Sequence, residues 1–169
     1  MSLSVSRSSL PLDFSRTSFL IVDDQPFSRR LVLSMLLGFG SREVYESENG
    51  VEAFELARGM MPNIIITDLV MPIFDGLRFI KMVKDVQSPV HKTPIIVLSG
   101  YLTKAAALMV RNSGADELLV KPVSPKSLYD HIVRIVLQDD SASQQLTLLQ
   151  SRKRRTTPPG KKADGLAYV

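Results

Sequence analysis

The sequence predicts an α/β fold with a five-stranded parallel sheet and helices on both faces. Five short apolar runs alternate with stretches of helical periodicity between about residues 18 and 138. This alternation is typical of βα units joined by right-handed crossovers. Three of the runs are continuously apolar, as expected of strands that a parallel sheet buries on both faces: Phe19-Leu20-Ile21-Val22, Ile64-Ile65-Ile66 and Leu118-Leu119-Val120.

The natural order for five such units is 2-1-3-4-5, the flavodoxin-like arrangement, which places the first and third strands side by side. The expected strands span about 18–23, 43–47, 63–68, 94–98 and 117–121. Helix one follows Pro26, helix two begins near Asn49-Gly50, and helix three follows Asp75-Gly76. Helix four is expected over 103–112, and helix five opens with Ser124 as cap.

The buried faces of four helices are predicted from apolar residues that recur at helical spacing. The expected core residues are Phe27, Leu31, Met35 and Leu36 on helix one; Val51, Phe54 and Ala57 on helix two; Leu77, Ile80 and Val83 on helix three; and Leu128, Ile132, Ile135 and Val136 on helix five. On helix four, the adjacent apolar residues Leu108, Met109 and Val110 are expected to be core, and contact with a partner is the alternative.

The two ends of the chain differ in composition from this region. Residues 1–17 are rich in serine and are expected to be a disordered lead-in. Residues 139–169 are polar and then basic, and we expect a disordered tail. The segment 151–169 holds six of the 21 basic residues and one of the 17 acidic residues, so the remainder carries a formal charge of −1. The overall charge of +4 therefore belongs to the tail.

Composition excludes some kinds of site. The chain has no cysteine, which excludes disulfides and thiolate metal sites and suits a reducing compartment. No apolar run reaches the ~20 residues of a membrane-spanning helix, and no signal-peptide pattern is evident. We therefore expect a cytoplasmic protein.

Charged residues end three of the apolar runs. Asp23 and Asp24 follow the first, Asp68 ends the third and Lys121 ends the fifth. Since the carboxyl ends of neighbouring parallel strands form the ligand-binding edge of such a sheet, these residues should converge. Three carboxylates suit a hard cation such as Mg²⁺, with Mn²⁺ as an alternative. One carboxylate could then act as a nucleophile toward a phosphoryl group.

Together these motifs resemble the receiver domain of two-component response regulators over about residues 18–138. The motifs are Asp23-Asp24, Asp68-Leu69-Val70-Met71-Pro72, Asp75-Gly76, Ser99-Gly100 and Lys121-Pro122. The layout is most similar to single-domain, chemotaxis-type members, here with a basic C-terminal extension. The resemblance implies Mg²⁺-dependent phosphorylation by a histidine kinase or a histidine phosphotransfer protein. It also implies signalling through phosphorylation-dependent protein contacts with a downstream target. The face formed by helix four, strand five and helix five is the family's usual signalling and dimer surface, and whether this chain forms a homodimer through it is open.

The resemblance also assigns roles to individual residues. Asp68 is the implied phosphoacceptor, and the implied metal ligands are Asp23, Asp24, Asp68 and the backbone carbonyl of Val70. Ser99, Lys121 and Tyr101 are expected to bind or respond to the phosphoryl group. The expected structural residues are Pro72, Gly76 and Pro122, the last after a cis peptide bond.

Two positions depart from the family pattern. Leu118 stands where the family commonly has an aromatic switch residue, and Tyr101 is a candidate substitute. Val70 and Tyr101 occupy the positions that the family uses to control hydrolytic water. We therefore expect slow self-dephosphorylation and no role as a turnover enzyme.

Several alternatives stay open. A phosphatase of the haloacid dehalogenase type needs a second acid two residues after its nucleophile, but Val70 follows Asp68 at that spacing and Gln25 follows Asp23. A phosphorelay shuttle and a pseudo-receiver that never takes phosphate are further alternatives. Helix one, with Phe27, Arg29 and Arg30 near its start, is a candidate kinase-docking surface, and a buried Phe27 with solvated arginines is the equal alternative. The basic tail could bind nucleic acid or an acidic membrane, although solvated disorder is favoured.

Overall fold

The strands form one parallel sheet. The computed structural model describes residues 14–72, 75–101 and 103–139. The strands are β1 (Ser18–Val22), β2 (Glu43–Ser47), β3 (Ile64–Asp68), β4 (Ile95–Ser99) and β5 (Glu117–Val120). Their order is β2-β1-β3-β4-β5, and each neighbouring pair is parallel. The predicted order of strands is therefore confirmed.

The helices follow the strands in alternation. They are α1 (Pro26–Gly38), α2 (Gly50–Met60), α3 (Gly76–Lys84), α4 (Lys104–Asn112) and α5, which spans 125–139. Asn49, Asp75, Thr103 and Ser124 each accept a hydrogen bond from the backbone N–H three residues later. Such bonds satisfy N–H groups that the first turn of a helix leaves without partners, so local side-chain chemistry fixes where these four helices begin.

The central strands are fully buried because helices cover both faces of the sheet. Every residue of β1, β3 and β4 is buried. On one face, side chains from β1, β3 and β4 pack with α2, α3 and α4; this cluster includes Leu20, Ile65, Val97, Ala57, Phe79, Ile80, Val83 and Val110. The continuous apolar runs of the sequence thus correspond to strands with two buried faces.

An aromatic cluster lies where the chain enters the sheet, and it corrects the expectation of disorder over the whole of 1–17. Phe14 begins a short 3₁₀ turn, Phe14–Arg16, and is 1% exposed. Its ring lies 6.4 Å from Phe19, 6.4 Å from Phe39 and 5.5 Å from Tyr129. Residues 1–13 lie outside the described part of the chain, as does the predicted tail from 140 onward.

Several predictions of buried helix residues are wrong. Phe27 and Leu31 on α1, Val51 on α2, and Leu108 and Met109 on α4 are all exposed. The burial of Met35 and Leu36 on α1 and of Val110 on α4 is confirmed, and α1 also buries Val32. The buried faces of α1 and α4 are therefore narrower than predicted, since the packing partner of a helix decides which of its side chains are covered.

The packing divides the chain into two compact units. The first extends to Ile135, and the structure describes it from Phe14. Of the second unit, Val136–Val169, the structure describes only 136–139, which are helical. Among the described residues, none of the helices has the length and hydrophobicity to cross a bilayer.

Candidate phosphoacceptor site

The register of the sheet brings the predicted site residues to one edge. Asp68 is the last residue of β3, and it pairs with Leu98, directly before Ser99 at the end of β4. Ser99 pairs with Val120, directly before Lys121. Asp23 follows β1, which lies on the other side of β3. The expected convergence of the acidic residues and Lys121 from the ends of three strands is therefore present.

Three carboxylates form the centre of this site. One oxygen from each of Asp23, Asp24 and Asp68 lies within 4.8 Å of the other two. Asp23 and Asp68 are buried, at 1% and 6% exposure. Within the described chain, the Asp24 Oδ1 atom is buried and has no hydrogen-bond partner. An unpartnered buried carboxylate oxygen is costly, and an oxygen-liganded cation such as Mg²⁺ would satisfy it. The donor set therefore fits a hard divalent cation.

Lys121 connects two of the carboxylates. Its Nζ lies 2.9 Å from Asp23 Oδ2 and 3.4 Å from Asp68 Oδ2. The Lys121 backbone N–H donates to the Ser99 carbonyl at 2.8 Å, which extends the β4–β5 ladder by one residue. The Lys121–Pro122 peptide bond is cis, the expected isomer. The two ion pairs thus place the ammonium group at the carboxylate cluster.

Burial dominates the electrostatics of Asp68. Loss of solvent raises the pKa of this carboxyl above its ordinary value of 3.8, and the negative charge of Asp23 raises it further. Lys121 and the backbone N–H of Leu69 act in the opposite direction and lower the pKa. Ionised Asp68 is therefore short of compensating positive charge, which a bound cation would supply.

Asp23 has partners that sequence reasoning missed. Its Oδ1 accepts the Gln25 backbone N–H at 2.9 Å, and its Oδ2 accepts the Ser28 hydroxyl at 2.5 Å. Arg29 donates to the Asp23 carbonyl at 2.7 Å and pairs with Glu46 at 3.1 Å. The sequence indicated these contacts only through position, because Ser28 and Arg29 lie in the first turn of the helix that follows the acidic pair.

Ser99 is buried at the site, with its hydroxyl engaged in the loop after β4. The hydroxyl donates to the Tyr101 carbonyl at 2.8 Å and accepts the Tyr101 N–H at 3.2 Å. The Tyr101 side chain is 81% exposed. Leu118 is partly buried against the core on the α2–α3 face. The two positions thus differ: Tyr101 is a solvent-exposed aromatic, and Leu118 is a packing residue.

The loop after β3 approaches Asp68 closely at Gly76. The Gly76 N–H donates to the Leu69 carbonyl at 3.0 Å. A Cβ atom at residue 76 would meet the Asp68 carbonyl oxygen and would lie 2.9 Å from Leu69 Cα. Val70 and Pro72, in the same loop, are exposed. Gly76 is therefore required by the backbone approach that fixes the start of α3 beside the phosphoacceptor candidate.

Comparison with known proteins identifies the family. The model of the response regulator receiver domain matches residues 19–133. The chain belongs to the response regulator receiver family. Receiver domains of this kind occur in response regulators of two-component systems. Receiver domains generally bind Mg²⁺ in an acidic pocket, and the carboxylate cluster described above could hold such an ion.

Individual relatives agree with this assignment. The transcriptional regulatory protein SrrA of Staphylococcus aureus is 35% identical over 125 residues, which cover 73% of this chain and 49% of the relative. The chain therefore spans about half the length of this curated relative. Among solved structures, the chemotaxis protein CheY4 of Vibrio cholerae has a TM-score of 0.66 at 32% identity, over 70% of this chain and 98% of CheY4. The receiver domain of NarL from Mycobacterium tuberculosis shares the fold, with a TM-score of 0.63 at 24% identity over 70% of this chain and 94% of the NarL chain.

Proposed function

We propose that this receiver domain accepts a phosphoryl group on Asp68 from a phosphohistidine of a kinase or phosphotransfer protein. The observation that carries the proposal is the convergence of Asp23, Asp24 and Asp68 with Lys121. Asp23, Asp24 and Asp68 would hold Mg²⁺, or Mn²⁺ in its place, with the Val70 carbonyl as a further ligand. The cation would offset the charge of the incoming phosphoryl group.

The transfer itself is a displacement at phosphorus. A carboxylate oxygen of Asp68 forms a bond to phosphorus while the bond from phosphorus to the histidine nitrogen breaks, and the nitrogen keeps the electron pair. Lys121, 3.4 Å from Asp68, moves with the phosphoryl oxygens and neutralises them. The buried Ser99 hydroxyl exchanges the Tyr101 carbonyl for a phosphoryl oxygen, which draws the loop after β4 toward the site.

The test is phosphorylation by a small donor. The protein is incubated with Mg²⁺ and acetyl phosphate or phosphoramidate, and the intact mass is measured against Asp68→Asn. We expect a gain of one phosphoryl group in the parent protein alone. An equal gain in Asp68→Asn would place the modification elsewhere. No gain while Mg²⁺ is bound would favour a pseudo-receiver that acts by constitutive partner binding.

We also propose that the acyl phosphate is hydrolysed slowly and that the domain is not a turnover enzyme. Val70 is 68% exposed and Tyr101 is 81% exposed, so neither offers a buried polar group to orient a water molecule toward Asp68. Val70→Asn should speed phosphate loss by about tenfold, because the amide can orient a water molecule. Tyr101→Ala should also speed it, because a bulky side chain beside the site is removed. Phosphate release is followed by intact mass after the donor is removed. Unchanged release in both variants would contradict the proposal.

Exposed apolar residues supply candidate contact surfaces. Phe27, at the start of α1, is 80% exposed and lies three residues after Asp24, which suits docking of the phosphodonor near Asp68. Leu108 and Met109 on α4 and Val120 on β5 are also exposed, on the elements that the family uses for downstream contacts or a homodimer.

The oligomeric state of the phosphorylated protein is measured by sedimentation and compared with that of phosphorylated Leu108→Ser. A dimer that Leu108→Ser abolishes would identify a homodimer through this face. A monomer in both cases would indicate a protein that binds another target or passes the phosphoryl group onward.

A further inference from the structure

The Asp23 carboxylate is shared between a charged donor and a neutral donor. Its Oδ2 atom accepts from Lys121 Nζ at 2.9 Å and from the Ser28 hydroxyl at 2.5 Å. Its Oδ1 accepts from the Gln25 N–H at 2.9 Å. Because Asp23 is 1% exposed, water contributes little to its solvation. The protein donors around it therefore determine how stable the ionised carboxylate is.

Lys121 lies closer to Asp23 than to Asp68. Its Nζ is 2.9 Å from the Asp23 oxygen and 3.4 Å from the Asp68 oxygen. When Asp68 carries a phosphoryl group, the ammonium is needed at the phosphoryl oxygens, so its contact with Asp23 weakens. Removing the charged donor from a buried carboxylate is unfavourable. The Ser28 hydroxyl is attached to α1 and stays in place when Lys121 moves.

The contact of Ser28 is not the ordinary behaviour of a helical serine. Ser34, on the same helix, donates to the Leu31 carbonyl of its own backbone. Ser28 instead donates out of the helix to a carboxylate at the candidate metal site. Gln25, at the position before α1, makes no side-chain capping bond. The hydroxyl of Ser28 is thus directed at Asp23 and is not used to complete α1.

We propose that Ser28 is a positioning residue for phosphoryl transfer: its hydroxyl holds Asp23 so that Lys121 can leave it for the phosphoryl group on Asp68. This proposal rests on the proposed function. Without the hydroxyl, Asp23 depends more strongly on Lys121, and the ammonium is retained away from the phosphoryl oxygens. The Asp23 oxygen also loses a competing donor, so its attraction for a cation is equal or greater.

The test separates cation binding from transfer. Mg²⁺ affinity is measured from amide chemical shifts during titration, and phosphorylation by phosphoramidate is followed by intact mass at saturating Mg²⁺. In Ser28→Ala we expect unchanged or tighter Mg²⁺ binding and a rate constant about tenfold lower, which corresponds to about 1.4 kcal/mol. Ser28→Thr keeps the hydroxyl and should stay within about twofold of the parent. Ser34→Ala is the matched control on the same helix and should behave as the parent.

A double-mutant cycle tests whether Ser28 acts through Lys121. In a Lys121→Met background, Ser28→Ala should have no further effect on the rate, because there is no ammonium left to release. An additive effect there would overturn the proposal. So would a loss of Mg²⁺ affinity that accounts for the lower rate, or a Ser28→Thr variant as slow as Ser28→Ala. A parent protein that takes no phosphoryl group would overturn the proposed function as well, whereas equal rates in parent and Ser28→Ala would overturn this inference alone.

Discussion

Asp68 is buried beside other carboxylates, and its environment disfavours the charge that a nucleophile needs. Burial and Asp23 raise the pKa of Asp68, and Lys121 only partly opposes them. The folded protein therefore holds a proton on Asp68 at pH values where the unfolded chain has lost it. It follows that the contribution of this carboxyl to stability falls as the pH rises from 3.8 through the higher folded-state pKa.

Replacement of Asp68 by asparagine should stabilise the protein in the absence of divalent cations. At pH 7 in a chelator, we expect Asp68→Asn to unfold about 2–4 °C higher than the parent, which corresponds to about 1 kcal/mol. The difference should shrink as the pH is lowered through the raised pKa of Asp68, because the parent carboxyl then becomes neutral. Thermal unfolding by circular dichroism measures both effects. Asp130→Asn, in an exposed pair with Lys126, is the control and should change little. A lower melting temperature for Asp68→Asn at pH 7 would contradict the assignment of burial as the dominant cause.

Gly76 should be intolerant of a side chain. Gly76→Ala places a Cβ against the backbone of Asp68 and Leu69, which can yield only by moving the loop after β3. We expect a loss of about 1–3 kcal/mol in the free energy of unfolding, together with slower phosphorylation. Gly59→Ala on α2 is the control. A Cβ there meets nothing within 4 Å, so it should be neutral or stabilising by up to about 1 kcal/mol. Equal stabilities in urea denaturation would show that the loop accommodates the added methyl group.

At the scale of the element, Arg29 connects α1 to the two strands beside it. It donates to the Asp23 carbonyl after β1 and pairs with Glu46 on β2, and its side chain is only 17% exposed. The neighbouring Arg30 is exposed. Arg29 is therefore a structural residue, which leaves Phe27 and Arg30 as the part of the start of α1 that is free for docking.

Loss of Arg29 should therefore cost more than loss of Arg30. Arg29→Ala removes charge-assisted hydrogen bonds from a largely buried side chain, and we expect a loss of about 1–2 kcal/mol in unfolding free energy. Arg30→Ala should change stability by less than about 0.5 kcal/mol. Both variants are compared by urea denaturation. If Arg30→Ala proved the more destabilising, the proposed division of roles within α1 would be wrong.

The elements also show what the sequence could and could not predict. Strands such as Ile64–Asp68 were predictable because burial on both faces leaves a continuous apolar run. The acids and Lys121 were predictable because they end such runs. The exposure of Leu31 and Val51 was not, since helical spacing gives the period of a pattern but not which side chains the neighbouring elements will cover. Ser28 and Arg29 were missed for a related reason: their contacts depend on how α1 packs beside β1.

At the scale of the whole molecule, the described unit has the candidate phosphoacceptor site at one edge of the sheet and an aromatic cluster where the chain enters β1. Phe14 contacts Phe19, Phe39 and Tyr129, which belong to β1, the residue after α1, and α5. A single ring thus joins segments that are far apart in the sequence. No apolar periodicity includes Phe14, so the sequence offered only an isolated aromatic residue before the first strand.

Phe14 should therefore contribute to global stability although it lies outside every strand and major helix. We expect Phe14→Ala to lower the free energy of unfolding by about 3 kcal/mol, and Phe27→Ala, at an 80% exposed position, to leave it nearly unchanged. Urea denaturation of the two variants gives the comparison. Similar small effects would mean that the 3₁₀ turn detaches from the domain at little cost.

The placement of the site at strand ends limits where the chain can change length. Side chains alternate between the two faces of a strand, and Asp68, Ser99 and Lys121 are reached directly from β3, β4 and β5. An insertion of one residue within any of these strands would shift its register and turn the functional side chain away from its partners. The connections at the opposite edge of the sheet hold none of these functional side chains. Insertions in those connections should therefore leave the site intact, whereas insertions beside the carboxylates should disrupt it.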